Sequence, residues 1–367
     1  GKVLSAVVDG GAKVVGFDII LPTSLEQSEI PLGGETLGER LRGFDRDFLR
    51  ALALAARQGK LVLGQVQHLH LPIRPFEAQR VAVGHRANIR PLNLFADRDG
   101  VIRRVPLSFE VDGSTTPSMA VELAARALGA RPEFNHDGSL SLAGSRVPQS
   151  TPNTLALKFE GGADDIPTYS LADLAACADK ADKEFFRRQF GGRVVLVGVL
   201  LDVEDRSVTS KRLATGIEGA RAPRCVLPFE PADKAFARDS IAGVYVHATA
   251  VNNLIRGDGL RELGRVPGWI VNLGAATLAA GLTLLASPLS ALLGVAVLGG
   301  AWTIISARAF GQAMSLPLVD TMAAAILALA TMIGYRFIVA DSDKRLLRNS
   351  FSLYLAPVVI ERMLAAN

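Results

Sequence analysis

Two cysteines, Cys177 and Cys225, are all that 367 residues contain, and neither stands in a CxxC pair or at a ligand spacing from histidine. That excludes the common structural zinc modules. The pair itself is open to two readings: a disulfide if the region lies in an oxidising compartment, or two buried thiols. Blocks of like charge are missing too. Lys and Arg total 40 against 36 Asp and Glu, a net of +4. With no basic face interleaved with aromatics, nucleic acid is not expected as a partner. No GxGxxG or Walker spacing follows the apolar run ending at Gly198, so a nucleotide loop there is rejected. Asp97-Arg98-Asp99-Gly100 is too short for an EF-hand loop and reads as a turn. The chain opens on Gly1 rather than Met, with no n-region or h-region. The expectation is a start inside a longer protein or after processing.

Apolar residues make up 49% of the chain, unevenly. After Pro267 come three apolar runs, Gly268 to Ser287, Leu289 to Ser306 and Leu316 to Val339. Each approaches the roughly 20 residues that cross a bilayer as a helix. The third carries Asp320 near its start, read as reaching the interface, and Arg336 near its end. Lys344, Arg345 and Arg348 follow, a cluster that the positive-inside rule places in the cytoplasm. Three crossings then put residues 1–265 on the opposite side.

Those first 265 residues alternate helix and strand. A helix precedes an apolar strand in Ala12 to Pro22, a helical stretch runs from Leu37 to Gln58, and a strand covers Lys60 to Gln65. Residues 96–100 read as a hairpin turn, Pro117 opens a helix to Leu128, Arg193 to Gly198 is a strand covered on both faces, and a helix spans Val246 to Ile255. The stretch 202–242 has no clear pattern. The expected fold is an α/β layered extracytoplasmic sensor domain with parallel strands, followed by an all-α three-helix transmembrane segment.

Several motifs, taken in order, resemble one family. They are Val14-Val-Gly-Phe-Asp18-Ile, Asp47 at a helix start, Lys60-Leu-Val-Leu, Asp97-Arg-Asp-Gly-Val-Ile-Arg103-Arg-Val-Pro and Pro117-Ser-Met-Ala. After these come Gly192-Arg-Val-Val-Leu-Val-Gly198, Asp205 and Gly243-Val-Tyr-Val-His247-Ala-Thr-Ala-Val-Asn-Asn-Leu. Their order resembles the second class of CHASE extracellular sensor domains of bacterial cyclases and histidine kinases. The resemblance implies a sensor over 1–265 lacking its first helix and first strand, three transmembrane helices over 266–340, and a cytoplasmic connector over 341–367. It also implies that 206–242 is longer than usual. The tail around Phe351, Tyr354 and Pro357 resembles the connector entering a class III nucleotidyl cyclase domain, with Pro357 suited to a helix start.

From that resemblance, Asp18, Asp97, Arg103, Asp205 and His247 are candidate ligand-binding residues, for a small polar ligand or a cation. Singly, each also fits a structural role: Asp18 as a helix cap or the partner of an arginine, His247 as a hydrogen-bonded core histidine. A histidine titrating near neutrality also suits an acidity sensor. His68 and His70 share one strand face, and without a third ligand they read as a solvated edge. No catalytic residue and no metal site is assigned within the chain, and no cofactor is expected in it. A cyclase domain further on would need Mg or Mn and a dimer. The expected whole is a bacterial inner-membrane receptor, a homodimer answering an unidentified periplasmic ligand or protein. Its output is an adenylate or guanylate cyclase; the alternatives are a histidine or Ser/Thr kinase, or a non-catalytic subunit binding a protein partner.

Overall fold

The structure, a computed structural model, describes residues 1–68, 71–111, 113–135, 137–149, 151–159, 166–200, 206–210, 224–226 and 240–340. It divides into two compact units, Gly1–Leu260 and Arg261–Asn367.

The first unit opens with α1 (Lys2–Asp9) and β1 (Val14–Phe17), then α2 (Leu37–Arg40), α3 (Arg46–Arg57), β2 (Leu61–Gln65), α4 (Glu77–Ala82) and β3 (Ile89–Pro91). Four short strands, β4 (Val101–Ile102), β5 (Arg104–Pro106), β6 (Ser108–Val111) and β7 (Ser114–Pro117), precede α5 (Met119–Leu128). Then come β8 (Thr154–Ala156), α6 (Leu171–Asp179), α7 (Lys183–Phe190), β9 (Val194–Val197), β10 (Arg206–Thr209), β11 (Ser240–Ala242) and α8 (Gly243–Arg256).

The central sheet is parallel, in the order β9-β1-β2-β3. Alternate residues serve opposite faces. Val14 and Val62 join a core built on α5 and α8, while Val15, Phe17, Leu61 and Leu63 join one built on α1, α3, α6 and α7. This makes β1 apolar throughout and β2 apolar up to Gln65, as a sheet covered on both faces requires. α5 is apolar at most positions because it lies inside: Met119, Val121, Leu123 and Ala124 have no exposure. Ser118 caps its start, accepting the Val121 N–H, and Gly129 ends it at φ 66°. Gly16 lets it approach, since a Cβ there would stand 2.7 Å from Leu123 Cδ1.

Three expectations are corrected. The helical stretch from Leu37 to Gln58 is two helices. Thr36 and Glu39 form a capping box on α2, and the left-handed Gly43 (φ 86°) breaks the chain before α3. The turn at 97–100 is present, closed by the Asp97 N–H on the Val101 carbonyl at 2.9 Å, but it is a corner rather than a ladder hairpin. β3 belongs to the central sheet, whereas β4 pairs with β10. β9, at the edge of the sheet among the described residues, is covered on both faces as expected, with Val194 and Leu196 against one core and Val195 and Val197 against the other. β2 ends at Gln65, so His68 lies beyond the ladder; His70 is outside the described residues.

The cysteines form a disulfide, Cys177 to Cys225, 48 residues apart with Cα atoms 5.7 Å apart. Buried Asp173 fastens the same segment by accepting the N–H groups of Cys225 (2.9 Å) and Val226 (3.0 Å).

The second unit holds β12 (Arg261–Glu262), α9 (Arg265–Leu285), α10 (Pro288–Gly311), β13 (Met314–Ser315) and α11 (Leu318–Tyr335), extended by a π-helical turn at Arg336–Ala340. Three helices are long and apolar enough to cross a membrane, and at most 17% of any one's apolar window is buried by protein. Trp269, Leu273, Val297 and Val319 all face outward. Such surfaces are stable against hydrocarbon, not water. α9 and α11 are joined at both ends. Thr321 Oγ1 lies 2.7 Å from Asn272 Oδ1, and Arg336 donates to the last carbonyls of α9, Thr283 at 2.8 Å and Ala286. Such carbonyls have no partner inside their own helix. Asp320 is exposed in the first turn of α11.

Candidate functional site

Asp18 follows β1 directly, and its own N–H is bonded to the Val197 carbonyl of β9 at 2.8 Å. It therefore stands at the carboxyl end of the central strand, where open α/β sheets place ligands. His247 reaches it from the second turn of α8. Its Nε2 lies 3.6 Å from Asp18 Oδ1, with the side chains 6% and 11% exposed. That contact is an ion pair only with protonated imidazole. His247 Nδ1 is buried and has no hydrogen-bond partner among the described residues. α8 comes close to this end of β9 because residue 198 is glycine: a Cβ there would lie 2.5 Å from the Val244 side chain.

Asp97 and Arg103 meet each other. Arg103 donates to Asp97 Oδ2 at 2.9 Å and grips both oxygens of Asp99, at 2.9 and 2.7 Å. Arg104 adds a 3.2 Å contact to Asp97. These charges fold the 97–104 corner, a role that accounts for all of them without a ligand. The Arg103 guanidinium holds the Asp99 carboxyl down at about 2. Asp205 lies outside the described residues, as do Phe351, Tyr354 and Pro357. Of the five candidate ligand residues, then, the structure brings Asp18 to His247 and Asp97 to Arg103.

A second constellation went unread in the sequence. Arg74, Arg80, Arg86 and Arg90 all line a cavity of about 730 Å³ together with Gln65 and the β6–β7 hairpin. The only trace of it in the sequence is arginine recurring every four to six positions, too sparse to stand out as a charge block. Near the disulfide, Asp182 completes a group with Cys177 and Cys225 whose ligand atoms lie within 4.8 Å of one another. With the sulfurs bonded to each other, no thiolate is left there for a metal.

The CHASE2 domain family model matches residues 1–292, from α1 through the whole of α9. No curated protein and no solved structure matches the chain. A match of that extent, over a layered α/β unit leading to apolar helices, establishes that the chain belongs to the CHASE2 domain family.

Proposed function

We propose that the chain is the extracytoplasmic sensor and three-helix membrane anchor of a bacterial inner-membrane receptor whose output is a class III nucleotide cyclase. The observation that carries the reading is a CHASE2 sensor domain continuous with three apolar helices. The Cys177–Cys225 disulfide supports an oxidising surrounding for the first unit, and Lys344, Arg345 and Arg348 support a cytoplasmic side after the third helix. The cyclase output rests on the sequence around Phe351, Tyr354 and Pro357 alone.

In this reading a ligand or partner protein biases one of two arrangements of the sensor in a homodimer, and the helices carry that bias inward. Asp18 and His247 are the residues proposed to meet a small polar ligand, at the carboxyl end of the central strand. The joints between α9 and α11 favour their moving as a pair. Mg or Mn would serve the cyclase domain. Membranes carrying the full-length parent, supplied with ATP or GTP and either metal, are expected to form a cyclic nucleotide. Autophosphorylation in place of a cyclic product would assign the output to a kinase. Neither activity from an intact, folded protein would leave a non-catalytic membrane subunit.

A further inference from the structure

We propose that the arginine-lined cavity beside β3 and the β6–β7 hairpin is a binding site for a small organic oxyanion, a carboxylate or a phosphomonoester. The volume of about 730 Å³ falls within the roughly 300–1,000 Å³ of small-molecule sites and exceeds what a bare inorganic ion fills. Four arginines line it, and no carboxylate stands among the described lining residues.

Their partners divide them. Arg90 is fixed, donating to Glu122 at 2.9 Å and to the Arg86 carbonyl at 2.7 Å, so it forms the wall. Arg80 is paired with Glu77 on its outer side. Arg74 makes no ion pair or hydrogen bond among the described residues, and the Nε atoms of both Arg74 and Arg80 are buried without an acceptor. An N–H taken out of water with nothing to bond is unfavourable, and both guanidinium groups belong to the lining of a cavity whose described residues hold no carboxylate to balance them, which favours an anionic ligand.

Gln65, which ends β2 and is 8% exposed, lines the same cavity. Guanidinium groups bind carboxylate and phosphate through paired N–H donors, and the Gln65 amide adds a neutral donor for orientation. The hairpin hydroxyls contribute less, because Ser114 and Thr115 already donate to Val111 O and Glu110 Oε1. The ligand's body would rest on Ile89 and Val111.

The site is separate from the Asp18–His247 pair and does not depend on the nature of the output. Its test is calorimetric titration of the whole chain in nanodiscs with succinate, citrate and glycerol 3-phosphate, against inorganic phosphate and against chloride at matched ionic strength. At least one organic anion is expected to bind saturably. Arg74→Gln should weaken it by about 10-fold or more. Gln65→Leu should weaken it as well, and Arg146→Gln, at an exposed ion pair outside the cavity, should leave it unchanged. Because Arg74 has no partner among the described residues, Arg74→Gln is expected to keep the wild-type unfolding midpoint, which separates lost binding from lost folding. The proposal is overturned if all three organic anions give no more than the chloride response, if inorganic phosphate binds as tightly as they do, or if Arg74→Gln binds like wild type.

Discussion

At the scale of single residues, the charged groups sort by whether they are sealed. The Asp97–Arg103 corner is exposed, and its ion pairs matter through geometry and titration. Because the folded Asp99 carboxyl sits at about 2, below an ordinary aspartate near 4, its contribution is complete above the ordinary value and is lost as pH falls through about 2. Carbon-13 spectra of labelled aspartate should show one carboxyl titrating near 2, moving to near 4 in Arg103→Met. Titration near 4 in both proteins would remove the clamp. Glu122 is a different case: it is buried and accepts from Arg90 Nε and, at 2.6 Å, from Arg126 Nε. Arg126 also donates to the carbonyls of Gly59, Leu61 and Ala87, tying α5 to the start of β2 and to the segment before β3. Arg126→Ala leaves those acceptors unanswered and should cost about 2–4 kcal/mol in urea unfolding. Arg126→Lys should recover little, since an ammonium lacks the fork that reaches three carbonyls. Loss below about 0.5 kcal/mol would place Arg126 among ordinary surface cations.

Individual elements were read from the sequence with uneven success, for physical reasons. β1, β2, α5 and α8 were legible because each is buried on most sides, so apolar residues dominate it. The break between α2 and α3 was missed because a single left-handed glycine, Gly43, interrupts an otherwise helical pattern. β9 carries the same Val-Val-Leu-Val run that a central strand would, and only its place in the strand order makes it an edge. Asp18 and His247 were named from a family resemblance without their contact being foreseen, and the arginine cavity had no signal strong enough to read. The disulfide was undecidable from two cysteines, and the fold decides it by bringing their Cα atoms to 5.7 Å. Closing a 48-residue loop restricts the unfolded chain, so Cys225→Ser or reduction should lower the stability of the first unit by about 2–4 kcal/mol. The check is a urea unfolding midpoint measured with and without dithiothreitol. No difference between the two would mean that Asp173 alone holds residues 225–226 in place.

For the whole molecule, a layered α/β unit stapled by a disulfide and three helices that present apolar side chains outward are two solutions for two solvents. Their sequence order is that of a sensor domain followed by membrane helices, and everything proposed about signalling depends on the side of the membrane that the first unit occupies. Single cysteines introduced at Glu29, exposed in the first unit, and at Ser350, after the third helix, test this directly with a membrane-impermeant maleimide on spheroplasts. The account predicts that Glu29→Cys labels in intact spheroplasts and Ser350→Cys only after permeabilisation. The reverse pattern would put the first unit in the cytoplasm and contradict an extracytoplasmic sensor.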